Sequence, residues 1–163
     1  MPLSKAMNAK LNEQITNEFY SSQVYLGMAS MFENMSLKVL AAFFFKQAEE
    51  EREHGMKFVK YIPEVEGEVQ LHPIPAPPPK YNSVLAAIEA ALAHERKVTQ
   101  QIHDLVALAE TEKDYATRAF LQWFVTEQVE EVDTQIQLAQ AARIAGERLL
   151  QLEAYVAQSG LLK

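Results

Sequence analysis

Five of the seven prolines in this chain crowd into residues 73–79, leaving a long stretch on either side almost free of helix breakers. Only five glycines occur. Proline lacks the amide proton that a helix interior needs, and glycine weakens helices, so confining them constrains the remainder. On both sides apolar residues recur at the 3,4 spacing of a buried helical stripe. The pattern predicts an all-α chain forming one domain over residues 1–163, with helices near 4–34, 36–62, 83–111, 114–145 and 147–158. Ser4, Ser36, Asn82 or Ser83, and Asp114 supply the N-caps, and Gly146 breaks the fourth helix.

Loop lengths give the connectivity. Tight turns join the first helix to the second and the third to the fourth, so each pair is an antiparallel hairpin. The crossover over 63–82 is far longer than most loops and reads as a stiff, extended spacer. It can run the length of a helix of this size, about 40 Å. The result is a four-helix bundle with one long crossover between the second and third helices, plus a short fifth helix.

The buried stripes are apolar at their ends and polar near their middles. The first helix carries Ile15, Glu18, Ser22 and Tyr25; the second, Phe44, Gln47, Glu51, His54 and Phe58. The third carries Leu92, Glu95 and Thr99; the fourth, Phe124, Gln128, Glu131 and Gln135. Antiparallel helices of similar length bring their middles to one level. Glu51 with His54, and Gln128 with Glu131, are three residues apart and project side by side.

One glutamate on such a stripe is usually partly solvated, and one histidine is usually a satisfied core residue. Four coincident interruptions call for a common cause. An unpaired buried carboxylate costs several kcal/mol, and no lysine or arginine lies on the stripes at this level. Two divalent cations would balance Glu18, Glu51, Glu95 and Glu131, with His54 as a neutral nitrogen donor. A carboxylate-rich set with one imidazole suits iron or manganese better than zinc.

Bulk properties narrow the rest. Absence of cysteine excludes disulfides, thiolate zinc sites and cysteine-bound iron. A net charge of −7, from 22 acidic and 15 basic residues, argues against nucleic acid as a partner. No apolar run is long enough to span a membrane. Met1 to Lys10 lacks the apolar core of a secretory signal, so a cytoplasmic location is the expectation. His72, His94 and His103 read as surface or structural residues, and the six methionines as packing. In the fifth helix Leu149, Leu152 and Val156 form an apolar edge with Leu150 beside it, for which a partner subunit is expected.

At its polar layer the chain resembles the non-haem ferritins of bacteria and archaea over essentially its whole length. The segments that carry the likeness are Asn12-Glu13-Gln14-Ile15 leading to Glu18, Tyr20-Ser21-Ser22, Glu50-Glu51-x-x-His54, and the run from Phe120 to Glu131. The resemblance implies a ferroxidase centre that oxidises Fe(II) with oxygen or peroxide. Glu18, Glu51 and His54 would hold one iron. Glu51 would bridge to a second, held also by Glu95 and Glu131 with Gln128 close by. It further implies a third iron on Glu50, Glu127, Glu130 and Glu131, a redox role for Tyr25 and for Trp123 near it, and a 24-subunit cage storing ferric mineral. Haem is not implied: Arg52 stands where bacterioferritins place the haem-ligating methionine, and Gln128-x-x-Glu131 replaces their second Glu-x-x-His. The residues leave two alternatives open, a di-iron oxidase or peroxidase without storage and a non-catalytic, metal-stabilised bundle.

Overall fold

The computed structural model describes residues 2–162. Its helices are α1 (Lys5–Asn34), α2 (Lys38–Glu64), α3 (Val84–Thr111), α4 (Tyr115–Ala145) and α5 (Leu149–Ser159), with no strand among the described residues. Three expected caps are formed. Ser4 accepts from the Met7 amide, Ser83 from Ala86 and Asp114 from Thr117. Gly146 ends α4 at φ 59° and ψ −121°, a combination open in practice only to glycine.

Ser36 does not cap α2, contrary to the sequence expectation. It sits at φ 60° and closes α1 instead, with the Leu37 amide bonded back to the Phe32 carbonyl. Glu66 and Lys113 adopt the same left-handed conformation after α2 and α3, and the Gly67 and Asp114 amides reach back in the same way. These are Schellman closures that spend a polar or charged residue where glycine is usual. The first turn of α2 is satisfied from elsewhere. The Glu153 carboxylate on α5 accepts from the Leu40 amide at 2.7 Å and the Val39 amide at 3.0 Å. At its other end α2 absorbs Pro63 within its last turn and stops at Glu64, two residues beyond the expected end.

Helix α1 packs along α2 and α3 along α4, giving the two hairpins, while α1 also meets α3. Aromatic pairs join α2 to α4, among them Tyr61 stacked on Phe120 and Phe58 tilted against Phe124. The crossover is held at its start by asparagines of α1. Asn12 donates to the Glu68 carbonyl and accepts from the Gln70 amide, while Asn8 accepts from the Glu68 amide.

Two apolar clusters fill the bundle. One, around Met7, Ile15, Phe58, Leu121 and Phe124, occupies one end. The other, around Met28, Phe32, Phe44 and Leu138, occupies the other end and takes in Leu152 and Val156 of α5. Most of the apolar edge of α5 is thus covered by its own chain, where the sequence suggested that the bundle had little surface to offer it. Only Leu150 remains largely in solvent, at 78% exposure. The reason is geometric: Gly146 turns the chain back, so that α5 lies across the ends of α2 and α4.

Candidate metal centre

Between the two apolar clusters lies the polar layer. Glu18, Glu51, His54, Glu95, Gln128 and Glu131 are each at most 5% exposed. Helical spacing puts them there: each lies on the stripe that carries its helix's core residues, at mid-length. Three sets bring ligand atoms within 4.8 Å of one another: Glu18 with Glu51 and His54, Glu51 with Glu95 and Glu131, and His54 with Glu127 and Glu131. Glu51 belongs to the first two, which is the position of a bridging carboxylate.

Hydrogen bonds fix the ligands from behind. Asn17 donates to the Gln14 carbonyl oxygen, and the Gln14 amide donates to Glu18 Oε1 at 3.0 Å. Tyr25 donates its hydroxyl proton to Glu95 Oε1. Gln128 donates to Glu95 Oε2 at 3.1 Å and also lies 3.1 Å from Thr99 Oγ1. His54 Nδ1 stands 3.2 Å from Glu51 Oε2. Against this order, Glu18 Oε2 and Glu51 Oε1 are buried with no partner. Two buried carboxylate oxygens without donors are what a bound cation would satisfy.

The electrostatics agree. Among the described ion pairs, none brings lysine or arginine to these four carboxylates. Burial therefore raises the Glu18 carboxyl above its usual range. Burial, reinforced by the Glu95 charge, raises Glu51 well above it and Glu131 to about 9. Tyr25 is likewise raised well above its ordinary value, chiefly by burial and next by Glu95. The ion-free layer therefore retains protons at neutral pH that two divalent cations would displace.

The remaining sequence candidates divide. Glu127 is half-buried and joins a set with His54 and Glu131. Glu50 is also half-buried, 3.8 Å from Lys46, and burial raises its carboxyl. Glu130 is exposed and belongs to none of the three sets. Trp123 meets the His54 imidazole edge to face at 5.4 Å, with the Lys57 ammonium 4.1 Å over its ring.

Sequence reasoning missed the supporting residues. Gln14 precedes Glu18 by one turn and Thr99 follows Glu95 by one turn, both visible spacings, but Asn17 carries no such signal. His94 proves to be largely buried, with Nε2 2.7 Å from Ser21 Oγ and its ring edge-on to Tyr25. Gly55 allows close approach of α1 and α2: a Cβ there would lie 2.5 Å from Phe19 Cε1.

Comparisons with known proteins point one way. Residues 8–145 match the family model described as the ferritin-like domain. The bacterial non-heme ferritin of Staphylococcus epidermidis is 42% identical over 132 residues, covering 81% of this chain and 80% of that protein. That of Staphylococcus saprophyticus is 42% identical over 129 residues, covering 79% and 77%. Among solved structures, an open pore ferritin from the archaeon Archaeoglobus fulgidus superposes with a TM-score of 0.92 at 40% identity, over 96% of this chain and 97% of the other.

Proposed function

The chain belongs to the ferritin-like family, and on that premise we propose that it oxidises Fe(II) at the buried carboxylate layer and stores the ferric product as mineral. Iron is the substrate. Glu18, Glu51 and His54 hold one ion, and Glu51, Glu95 and Glu131 hold its neighbour. Tyr25 and Gln128 fix the rotamer of Glu95 through their hydrogen bonds. Each Fe(II) gives up one electron, and oxygen or peroxide accepts the pair. The protein supplies position and charge compensation while the metal carries the redox change. A third iron on Glu50, Glu127, Glu130 and Glu131 would lie beside the pair. The chain works as one domain in a cytoplasmic cage of 24 subunits, without haem.

The observation that carries this reading is the pair of ligand sets sharing Glu51 in an interior otherwise filled by apolar side chains. A purely structural bundle has no use for four carboxylates there, since replacing them with leucine would remove their desolvation cost. Stopped-flow oxidation of Fe(II) in air tests it. Glu51→Ala and His54→Ala each abolish the rapid phase while circular dichroism and particle size stay unchanged. Parent-like rates in both variants contradict the assignment.

A further inference from the structure

One turn beyond the carboxylate layer, α2 presents Gln47 and α4 presents Gln135. Gln135 is fully buried, and neither its amide nitrogen nor its carbonyl oxygen has a hydrogen-bond partner. Gln47 is 5% exposed; its Oε1 is unpartnered, and its nitrogen reaches only Glu50 Oε2, at 3.4 Å. Buried amides left in this state are rare in folded proteins and mark a group or molecule still to be placed.

The register of α2 against α4 places the two amides at one level of the bundle. Tyr61 stacks on Phe120, Phe58 packs against Phe124, and Glu51 shares a ligand set with Glu131, each turn back along α2 matching a turn forward along α4. The next turn brings Gln47 level with Gln135. The turn after that brings Phe44 level with Leu138, both fully buried in the apolar cluster. The amides thus lie between the carboxylate layer on one side and the buried apolar side chains of Phe44 and Leu138 on the other.

That setting decides what can bind. A cation is better served by the carboxylates of the layer and of Glu50 than by these amides, whose protons repel it. A carbonyl acceptor with an amide donor suits a small neutral molecule carrying its own O–H donors and lone pairs. We propose that Gln47 and Gln135 form a binding site for a water-sized hydroxylic molecule, water or hydrogen peroxide, held against the inner side of the metal layer. Such a molecule sits about one helical turn, roughly 5 Å, from Glu51 and Glu131. The binding claim stands on the unpartnered amides; its relevance to oxidation rests on the function proposed above.

Crystals of the whole, metal-free protein test it, in the parent and in Gln135→Leu and Gln47→Leu, with and without a hydrogen peroxide soak. The site predicts a density peak within about 3.2 Å of both amides in the parent. A round peak in untreated crystals identifies water; an elongated one found only after soaking identifies peroxide. Either leucine variant loses the peak, and Gln135→Leu gains no resistance to guanidinium, because Gln47 loses its bridged partner. A parent with no peak in either condition, or a peak that persists in both variants, overturns the proposal. So does a Gln135→Leu protein with a raised denaturation midpoint, the behaviour of a dry pocket relieved of a stranded amide.

Discussion

Replacing Gly55 with alanine tests whether the close contact of α1 and α2 sets the metal geometry. The added carbon would fall 2.5 Å from Phe19 Cε1, 2.7 Å from Cδ1 and 3.2 Å from Cζ. Carbon atoms in good contact stand about 3.5–4.0 Å apart, so the ring or the helix spacing must yield by roughly 1 Å. The ring is stiff, and the clash falls on its edge. Alanine gains about 1 kcal/mol in helix propensity, while forcing an extra methyl into a packed core costs about 1–3 kcal/mol. We expect a net loss of about 1 kcal/mol of stability, read as a lower guanidinium midpoint. The functional effect is larger. Phe19 follows Glu18 and Gly55 follows His54 in the chain, so parting the helices parts two ligands of one set. A displacement near 1 Å lowers rates by up to about 100-fold, and the initial rate of Fe(II) oxidation measures it. A variant that is more stable by about 1 kcal/mol and oxidises iron within twofold of the parent would refute the reasoning.

Two further predictions follow from the buried charges. Because Glu18 and Glu51 are raised and Glu131 stands at about 9, the ion-free folded state holds more protons than the unfolded state from about pH 5 to about pH 9, so its stability falls as pH rises through that window. Guanidinium midpoints in chelator at pH 5, 7 and 9 should decline in order, and saturating Zn²⁺ should remove the decline; a midpoint that climbs with pH in chelator contradicts the burial argument. Glu153→Ala removes both acceptors from the first turn of α2 and should cost about 1–3 kcal/mol, with faster hydrogen exchange at the Val39 and Leu40 amides. Unchanged exchange there would show that the carboxylate is not what caps the helix.

Stripe spacing alone located Glu18, Glu51, His54, Glu95, Gln128 and Glu131, because mid-helix position and antiparallel packing leave side chains on a stripe no other level at which to meet. What the sequence hid depends on tertiary neighbours. Ser36 has the chemistry of an N-cap, yet the chain needed a left-handed residue to close α1, and Glu153 of α5 took over the cap more than a hundred residues away. The apolar edge of α5 looked unpartnered because a helical wheel cannot show that the turn at Gly146 folds it back across the bundle. Gln47 and Gln135 were visible as polar members of their stripes, but their lack of partners is a property of the packed interior.

Metal occupancy of the layer tests the central claim most directly. Crystals loaded anaerobically with Fe(II), measured at the iron absorption edge, should show two ions per chain about 3.5–4 Å apart. Glu51 should lie between them, with Glu18 and His54 on one side and Glu95 and Glu131 on the other. A single ion, or iron confined to surface carboxylates while Glu51 and Glu131 stay unligated, would contradict the account.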